Sequence, residues 1–413
     1  MTHPLPSPPA RLESLPDDLL AGLSAAFDSG EPDPQAQPWA EKLRRFVELN
    51  GGRLTKVAAA RFGADHSRTV LAGIATVLTK ASASTPDGSP DLPCLNAAFR
   101  ALDALGRNAP AAARARAERL LAATRAAIAS RTPAPAATDE PYDDLPPIAE
   151  KYRLVLICRQ GALYGAVVRH LLRARGVEPA ALVVVEARGW RRVVAWTRSW
   201  LPLAPWACRL RLLPKHFWAP PPAPCLLAVA RATGVTRIPY NTRTASAGTP
   251  VLTAANLNDS RILALLDELR PDAVVHTGGG ILPREIIARA GRGALNAHNS
   301  VLPGYRGLDA AHWALLEGRA DLVGVTGHLI DPGIDTGPVL VVRRLDVRAF
   351  PDPRTLRAAY WALMPKVLVE ATTGLLQGRT PEPQTPGSRQ YFALHPRLRP
   401  LVQLALDRAR GVG

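Results

Sequence analysis

Asn296-Ala-His298-Asn-Ser300-Val-Leu-Pro303-Gly-Tyr305-Arg306-Gly307, with Ile334-Asp335-Thr-Gly337-Pro338 further on, is the stretch on which the reading of this chain turns. Asn296 and His298 are two residues apart. At the end of a β-strand their side chains therefore leave the same face, and a carboxylate arriving from a later loop can meet them there. Asp335, 28 residues after Gly307, is placed to be that carboxylate. The three groups suit acyl transfer. An amide and an imidazole donate hydrogen bonds to the oxygen of a carbonyl under attack, and an aspartate orients the imidazole or takes up the proton that an attacking amine must lose. The plainer alternative is a structural histidine beside a turn-forming aspartate.

Outward from this stretch the hydrophobic pattern alternates between strand and helix. Arg153–Cys158, Ala181–Val185, Asp272–His276 and Gly293–His298 are short apolar runs. The helical patterns between and after them cover Ala162 to Arg175, about Ser260 to Leu269, a helix opening at Pro283, and residues 354–377. Such alternation implies a parallel sheet wound with helices, which binds ligands beyond the carboxyl ends of its strands, where Asn296 and His298 fall. Before residue 131 the period is helical throughout. Helices are expected from Leu15, over Ala40–Leu49, Thr69–Lys80 and Leu95–Leu105, and from Pro110 to Ser130. Residues 131–148 combine proline, small residues and an acidic cluster, the composition of a linker. The expected organisation is a small all-α domain (1–130), a linker (131–148), an α/β domain (149–380) and a C-terminal tail (381–413).

The string Asn-x-His-x-Ser-x-Leu-Pro-x-Tyr-Arg-Gly, followed by Asp331-x-Gly333-Ile-Asp335-Thr-Gly-Pro, resembles the catalytic core of the folate-dependent formyltransferases, the family of the glycinamide ribonucleotide and methionyl-tRNA enzymes. The resemblance covers roughly residues 151–375. It implies a Rossmann-like sheet, 10-formyltetrahydrofolate as formyl donor and an amine as acceptor, with Asn296, His298 and Asp335 catalytic. It places the pterin ring on Gly279, Gly280 and Leu282, within Gly278-Gly-Gly280-Ile-Leu-Pro283, and on Asp331, Gly333 and Ile334. Tyr305 and Arg306 would shape the acceptor side, and Ser300 would support the loop. The turn Arg159-Gln160-Gly161 lacks the dinucleotide fingerprint, and Arg159 suits an anionic acceptor. The chain departs from the methionyl-tRNA enzymes in leaving only about forty residues after the helix at 354–377, which argues against initiator tRNA as acceptor. A hydrolase giving formate, or a non-catalytic folate-binding or regulatory protein, are the competing functions.

With 413 residues, 47% hydrophobic and 21% charged, the chain can bury two or three cores. Its net charge of +16 fits either an anionic partner or the Arg-rich surface that a GC-rich genome imposes. Cys94, Cys158, Cys208 and Cys225 are too scattered for a zinc site or a disulfide framework, so no metal is expected and a reducing cytoplasm fits. The N-terminus lacks a secretory pattern, and no apolar run is long enough to span a membrane. Five of the eight tryptophans lie in 190–218 among arginines. That segment packs against the domain, contacts the acceptor, or makes peripheral membrane contact. Leu54–Val70 has the rhythm of a helix-turn-helix, although nucleic acid is not expected as a partner. The partner expected is a small-molecule amine, and the sequence leaves the oligomeric state open.

Overall fold

The computed structural model describes residues 15, 17–28, 36–83, 89–133, 148–160, 162–186, 248–385 and 389–412. The Trp/Arg segment 190–218, most of the linker, Gly161, Cys208 and Cys225 lie outside the described residues. The chain divides into two units: 1–134 with 315–319 and 391–413, and 135–314 with 320–390.

The helical unit contains α1 (Asp17–Ala26), α2 (Ala36–Asn50), α3 (Leu54–Phe62), α4 (Ser67–Ala81), α5 (Leu92–Leu105) and α6 (Ala111–Ala129). Helix α4 is its centre. Val70, Leu71, Ile74, Val77 and Leu78 are all buried, and α1, α2, α3, α5 and α6 pack around them. Gly73 lets α1 come close, since a Cβ there would sit 2.7 Å from Leu20 Cδ1. The helix-turn-helix rhythm does produce α3, a turn at Gly63 (φ +85°) and α4. Yet the helix that would enter a DNA groove is the buried core helix, with only Arg68 and Thr69 of its first turn exposed.

The α/β unit begins with β1 (Leu154–Arg159), α7 (Leu163–Ala174), β2 (Ala181–Val185), β3 (Val251–Ala254), α8 (Ser260–Leu269) and β4 (Ala273–His276). It continues with α9 (Arg284–Ile287), β5 (Ala294–His298), α10 (Ala310–Leu316), β6 (Gly324–Leu329), β7 (Val339–Arg344) and α11 (Pro353–Leu376). Seven strands form one sheet in the order β3-β2-β1-β4-β5-β6-β7. Strands β3 to β5 are parallel, as the alternating pattern implies, but β6 runs antiparallel to β5 and β7 antiparallel to β6. The expected parallel sheet is present over five strands, and two antiparallel strands extend it at this edge. Strands β6 and β7 are joined without a helix, by the connection 330–338 that carries Asp335.

The central strands β1, β2 and β4 are buried on both faces, which is why they read as unbroken apolar runs. Asp259 caps α8 by accepting from the Arg261 N–H, and Asp352 forms a capping box with Thr355 at the start of α11. Helix α11 lies close on β6 because position 327 is glycine: a Cβ there would be 2.6 Å from Ala371 Cβ.

Beyond the α/β unit, α12 (Arg399–Ala409) and the residues before it return to the helical unit. Residues read as a tail from 381 onward thus divide. The segment 391–413 belongs with the helices, where the His395 N–H donates to Asn96 Oδ1 (2.6 Å), the Asn96 amide and Arg100 both donate to the Ala393 carbonyl, and the His395 ring stacks on Phe99. Glu48, paired at 2.7 Å with Arg100, sits under this junction, and its burial holds the carboxyl above the usual range.

Candidate active site

Strand β5 delivers the first two groups. Ala294, Asn296 and His298 alternate onto one face, and pairing with β6 sets Asn296 opposite His328 and His298 opposite Thr326. His328, which the sequence reading did not single out, therefore shares the face of Asn296 and His298. The connection 330–338 folds back over this face. There Asp335 approaches both imidazoles, with Oδ2 at 3.4 Å from His298 Nδ1 and Oδ1 at 3.7 Å from His328 Nε2. Asp335 is in the left-handed region (φ +53°), and its carboxylate also accepts from the Gly307 N–H at 2.9 Å.

His298 is 5% exposed, and its Nε2 lies 2.8 Å from the Tyr305 carbonyl. A carbonyl only accepts, so Nε2 carries a hydrogen. A second hydrogen on Nδ1 turns the approach to Asp335 into an attractive contact. His328 is fully enclosed. Its Nδ1 lies 2.7 Å from the Leu329 carbonyl, and burial pushes its pKa down against the opposing pull of Asp335. The Asn296 carboxamide is half-buried and makes no hydrogen bond to another described residue.

The glycine loop follows β4. Val275 pairs with Leu295, so His276 and Asn296, one residue further along each strand, lie side by side on the same face. Gly278, Gly279 and Gly280 have φ of +130°, +129° and +128°, values open only to glycine. A Cβ on Gly278 would meet nothing within 4 Å, whereas one on Gly279 would strike Val185 Cγ2 at 2.8 Å. The loop thus leans on β2 on one side and is open on the other. His276 holds it, since Nε2 donates to the Gly280 carbonyl at 2.9 Å. Among the described residues no other hydrogen bond is made by 278–282.

Burial pushes His276 down to about 4 from an ordinary 6.5, and its Nδ1 has no partner among the described residues. The folded state thus refuses a proton that the unfolded state accepts, so stability falls as pH drops from 6.5 towards 4. The loss attributable to His276 is about 3 kcal/mol on the usual ~1.4 kcal/mol per pH unit. Chemical denaturation at pH 7 and pH 4 should show this extra loss in the wild type and not in His276→Gln. Equal losses in both would contradict the assignment.

The remaining predicted residues occupy distinct places. Leu282 is buried beneath the glycine loop. Asp331, Gly333 and Ile334 form the turn before Asp335, closed by the Asp331 carboxylate accepting from the Gly333 N–H (3.0 Å) and from the Thr336 hydroxyl. Tyr305 is 4% exposed, so it offers the site its carbonyl, not its ring. Arg306 is half-buried, Arg159 is exposed at the end of β1, and the buried Ser300 carbonyl accepts from the Thr326 hydroxyl at 2.7 Å. At the start of α7, Gly165 allows contact with Cys158, whose buried thiol is pushed up to about 12 and is chemically quiet.

Residues 212–372 match the family model described as formyl transferase. Methionyl-tRNA formyltransferase of Thermodesulfovibrio yellowstonii is 34% identical over 140 residues, covering 33% of this chain and 45% of that protein. The enzyme of the same name from Anaeromyxobacter sp. is 41% identical over 125 residues, 30% of this chain and 40% of that one. The chain thus spans less than half the length of either relative. Among solved structures, glycinamide ribonucleotide transformylase 1 from Symbiobacterium toebii aligns with 60% of this chain and 100% of its own at 18% identity and a TM-score of 0.36. Asn296, His298 and Asp335 all fall within the residues that match the family model described as formyl transferase.

Proposed function

We propose that this chain transfers a formyl group from 10-formyltetrahydrofolate to the amine of a small molecule. The observation that carries the reading is the shared face of β5 and β6, where a carboxylate stands between two imidazoles beside a carboxamide that no described residue engages. The donor fits the residues present. The open side of the glycine loop, with its backbone N–H groups unbonded to any described residue, leaves room for a flat ring against the main chain, and the self-closed 331–334 turn supplies the second wall. Gly279, Gly280, Leu282, Asp331, Gly333 and Ile334 would hold it. When bound, the donor supplies an N-formyl carbonyl open to attack by a neutral amine.

Asn296 presents its N–H to the formyl oxygen as negative charge develops there. The His298 Nε2–H, engaged with the Tyr305 carbonyl in this structure, transfers to the same oxygen, because a charged acceptor makes the stronger hydrogen bond. In the exchange one C–N bond forms and one breaks. The attacking nitrogen loses a proton, and the departing folate nitrogen gains one. Asp335 orients His298 through Nδ1 and is the base at hand for the first of these protons. Arg159 and Arg306 give the acceptor side a positive character suited to an anionic amine. The buried thiols of Cys94 and Cys158, in no disulfide with a described residue, fit a reducing cytoplasm as the place of action, and no described helix is long and apolar enough to cross a membrane.

The test is consumption of 10-formyltetrahydrofolate by the purified chain, with and without a panel of small amines. Amine-dependent consumption with formation of the formamide supports transfer. Amine-independent release of formate would make the chain a hydrolase, and no consumption at all would remove the enzymatic reading.

A further inference from the structure

We propose that Gln384, downstream of the matched residues, is a positioning residue that fixes the backbone of Asp335 and thereby the place of its carboxylate between His298 and His328. This rests on the formyl-transfer reading of the same site. The Gln384 Nε2 amide donates to the Asp335 carbonyl (3.1 Å) and to the Gly337 carbonyl (2.6 Å), the two that flank Thr336. The orientation of the amide is not ambiguous, because both partners can only accept.

Asp335 needs such a hold. A left-handed backbone at a residue with a Cβ persists only where its surroundings over-determine it. Its carboxylate is tied by the Gly307 N–H, and its main chain is tied by Gln384. Gly337 is pressed against the end of β6, since a Cβ there would lie 2.0 Å from the Leu329 carbonyl oxygen. Gln384 is itself anchored. Two residues earlier, Glu382 and Val339 exchange a pair of 2.7 Å backbone hydrogen bonds, adding a bridge to the outer edge of β7. The other end of the amide, Oε1, is shut off from solvent and has no hydrogen-bond partner among the described residues. The fold tolerates that unpaired acceptor, so the two donated bonds dictate where the side chain lies.

The turn at 331–334 closes on its own bonds through Asp331 and needs nothing from Gln384. Loss of the amide should therefore affect turnover and spare donor binding. The test uses the full chain with Gln384→Met, which keeps length and bulk but has no N–H, and Gln384→Ala. Turnover is read with 10-formyltetrahydrofolate and hydroxylamine as a small neutral amine, and donor affinity by fluorescence titration with a non-reactive formylfolate analogue. Both variants should lose about 10-fold or more in kcat, with the analogue's Kd unchanged within about 2-fold. Wild-type kcat in Gln384→Met would overturn the proposal. So would a fall in affinity parallel to the fall in kcat, which would place Gln384 in donor binding. Histidine-selective 15N spectra without any donor give a readout independent of turnover: the ring signals of His298 and His328 should move in Gln384→Met, and unmoved signals would overturn the proposal. A wild type that neither binds the analogue nor consumes the donor refutes the folate reading itself, and the histidine spectra then still decide the role of Gln384.

Discussion

Replacing His298 with alanine lowers turnover by about 10²–10³-fold with little loss of donor affinity, because a donor that matters chiefly in the transition state is felt in the rate. The imidazole is buried and spans from the Tyr305 carbonyl to the Asp335 carboxylate, so its removal takes away both the hydrogen bond to the oxyanion and the partner through which Asp335 acts. Steady-state kinetics of a variant whose folding is verified by its melting curve measure this. Unchanged turnover in a folded His298→Ala would end the mechanism. Asp335→Asn complements it. The side chain keeps its shape and can still accept from the Gly307 N–H, but it loses the charge that orients the imidazole and takes up the proton. Its pH–rate profile should lose or shift one limb, and a wild-type profile would deny Asp335 an acid–base role.

Ending the chain after Gln390 abolishes cooperative unfolding of the helical unit. Leu394, Leu398, Leu401, Val402 and Leu406 are each 3% exposed or less. At about 1.5–3 kcal/mol for each large apolar side chain kept from water, five such residues represent roughly 7–15 kcal/mol. That upper estimate is as large as the whole stability of a typical domain, about 5–15 kcal/mol. The truncation also strips Asn96 and Arg100 of the Ala393 carbonyl and takes the His395 N–H away from Asn96 Oδ1. A circular-dichroism melt should show reduced helicity and no cooperative transition from these helices. A truncated chain that melts like the full one would show that residues 391–413 are dispensable.

What the sequence made legible was whatever local periodicity encodes. The two-residue spacing of Asn296 and His298 placed both on one face of β5, and the unbroken apolar runs of β1, β2 and β4 marked strands buried on both sides. The helices of the first unit fell where their apolar period put them. What escaped depends on partners far along the chain. Strand β3 is a four-residue, half-buried edge, and β6 carries two glycines and the polar pair Thr326 and His328 on its site face, so neither shows the apolar run that betrays a central strand. His328 becomes meaningful only through antiparallel register with Asn296, and no local signal specifies that register. Gln384 joins the site by a bond to a residue 49 positions earlier, and residues 391–413 read as a tail because their apolar positions face helices nearly 300 residues away in sequence.

The central claim is that a formylated folate sits between the glycine loop and the turn before Asp335, and hydrogen–deuterium exchange of the full chain with and without a non-reactive 10-formyltetrahydrofolate analogue tests it most directly. The backbone N–H groups of 278–282 have no hydrogen-bond partner among the described residues, so they exchange freely until a ligand covers them. Added analogue should slow exchange in the peptides spanning 276–282 and 330–337 and leave the helical unit unchanged. Protection confined to the helical unit, or no protection anywhere at saturating analogue, would contradict the account.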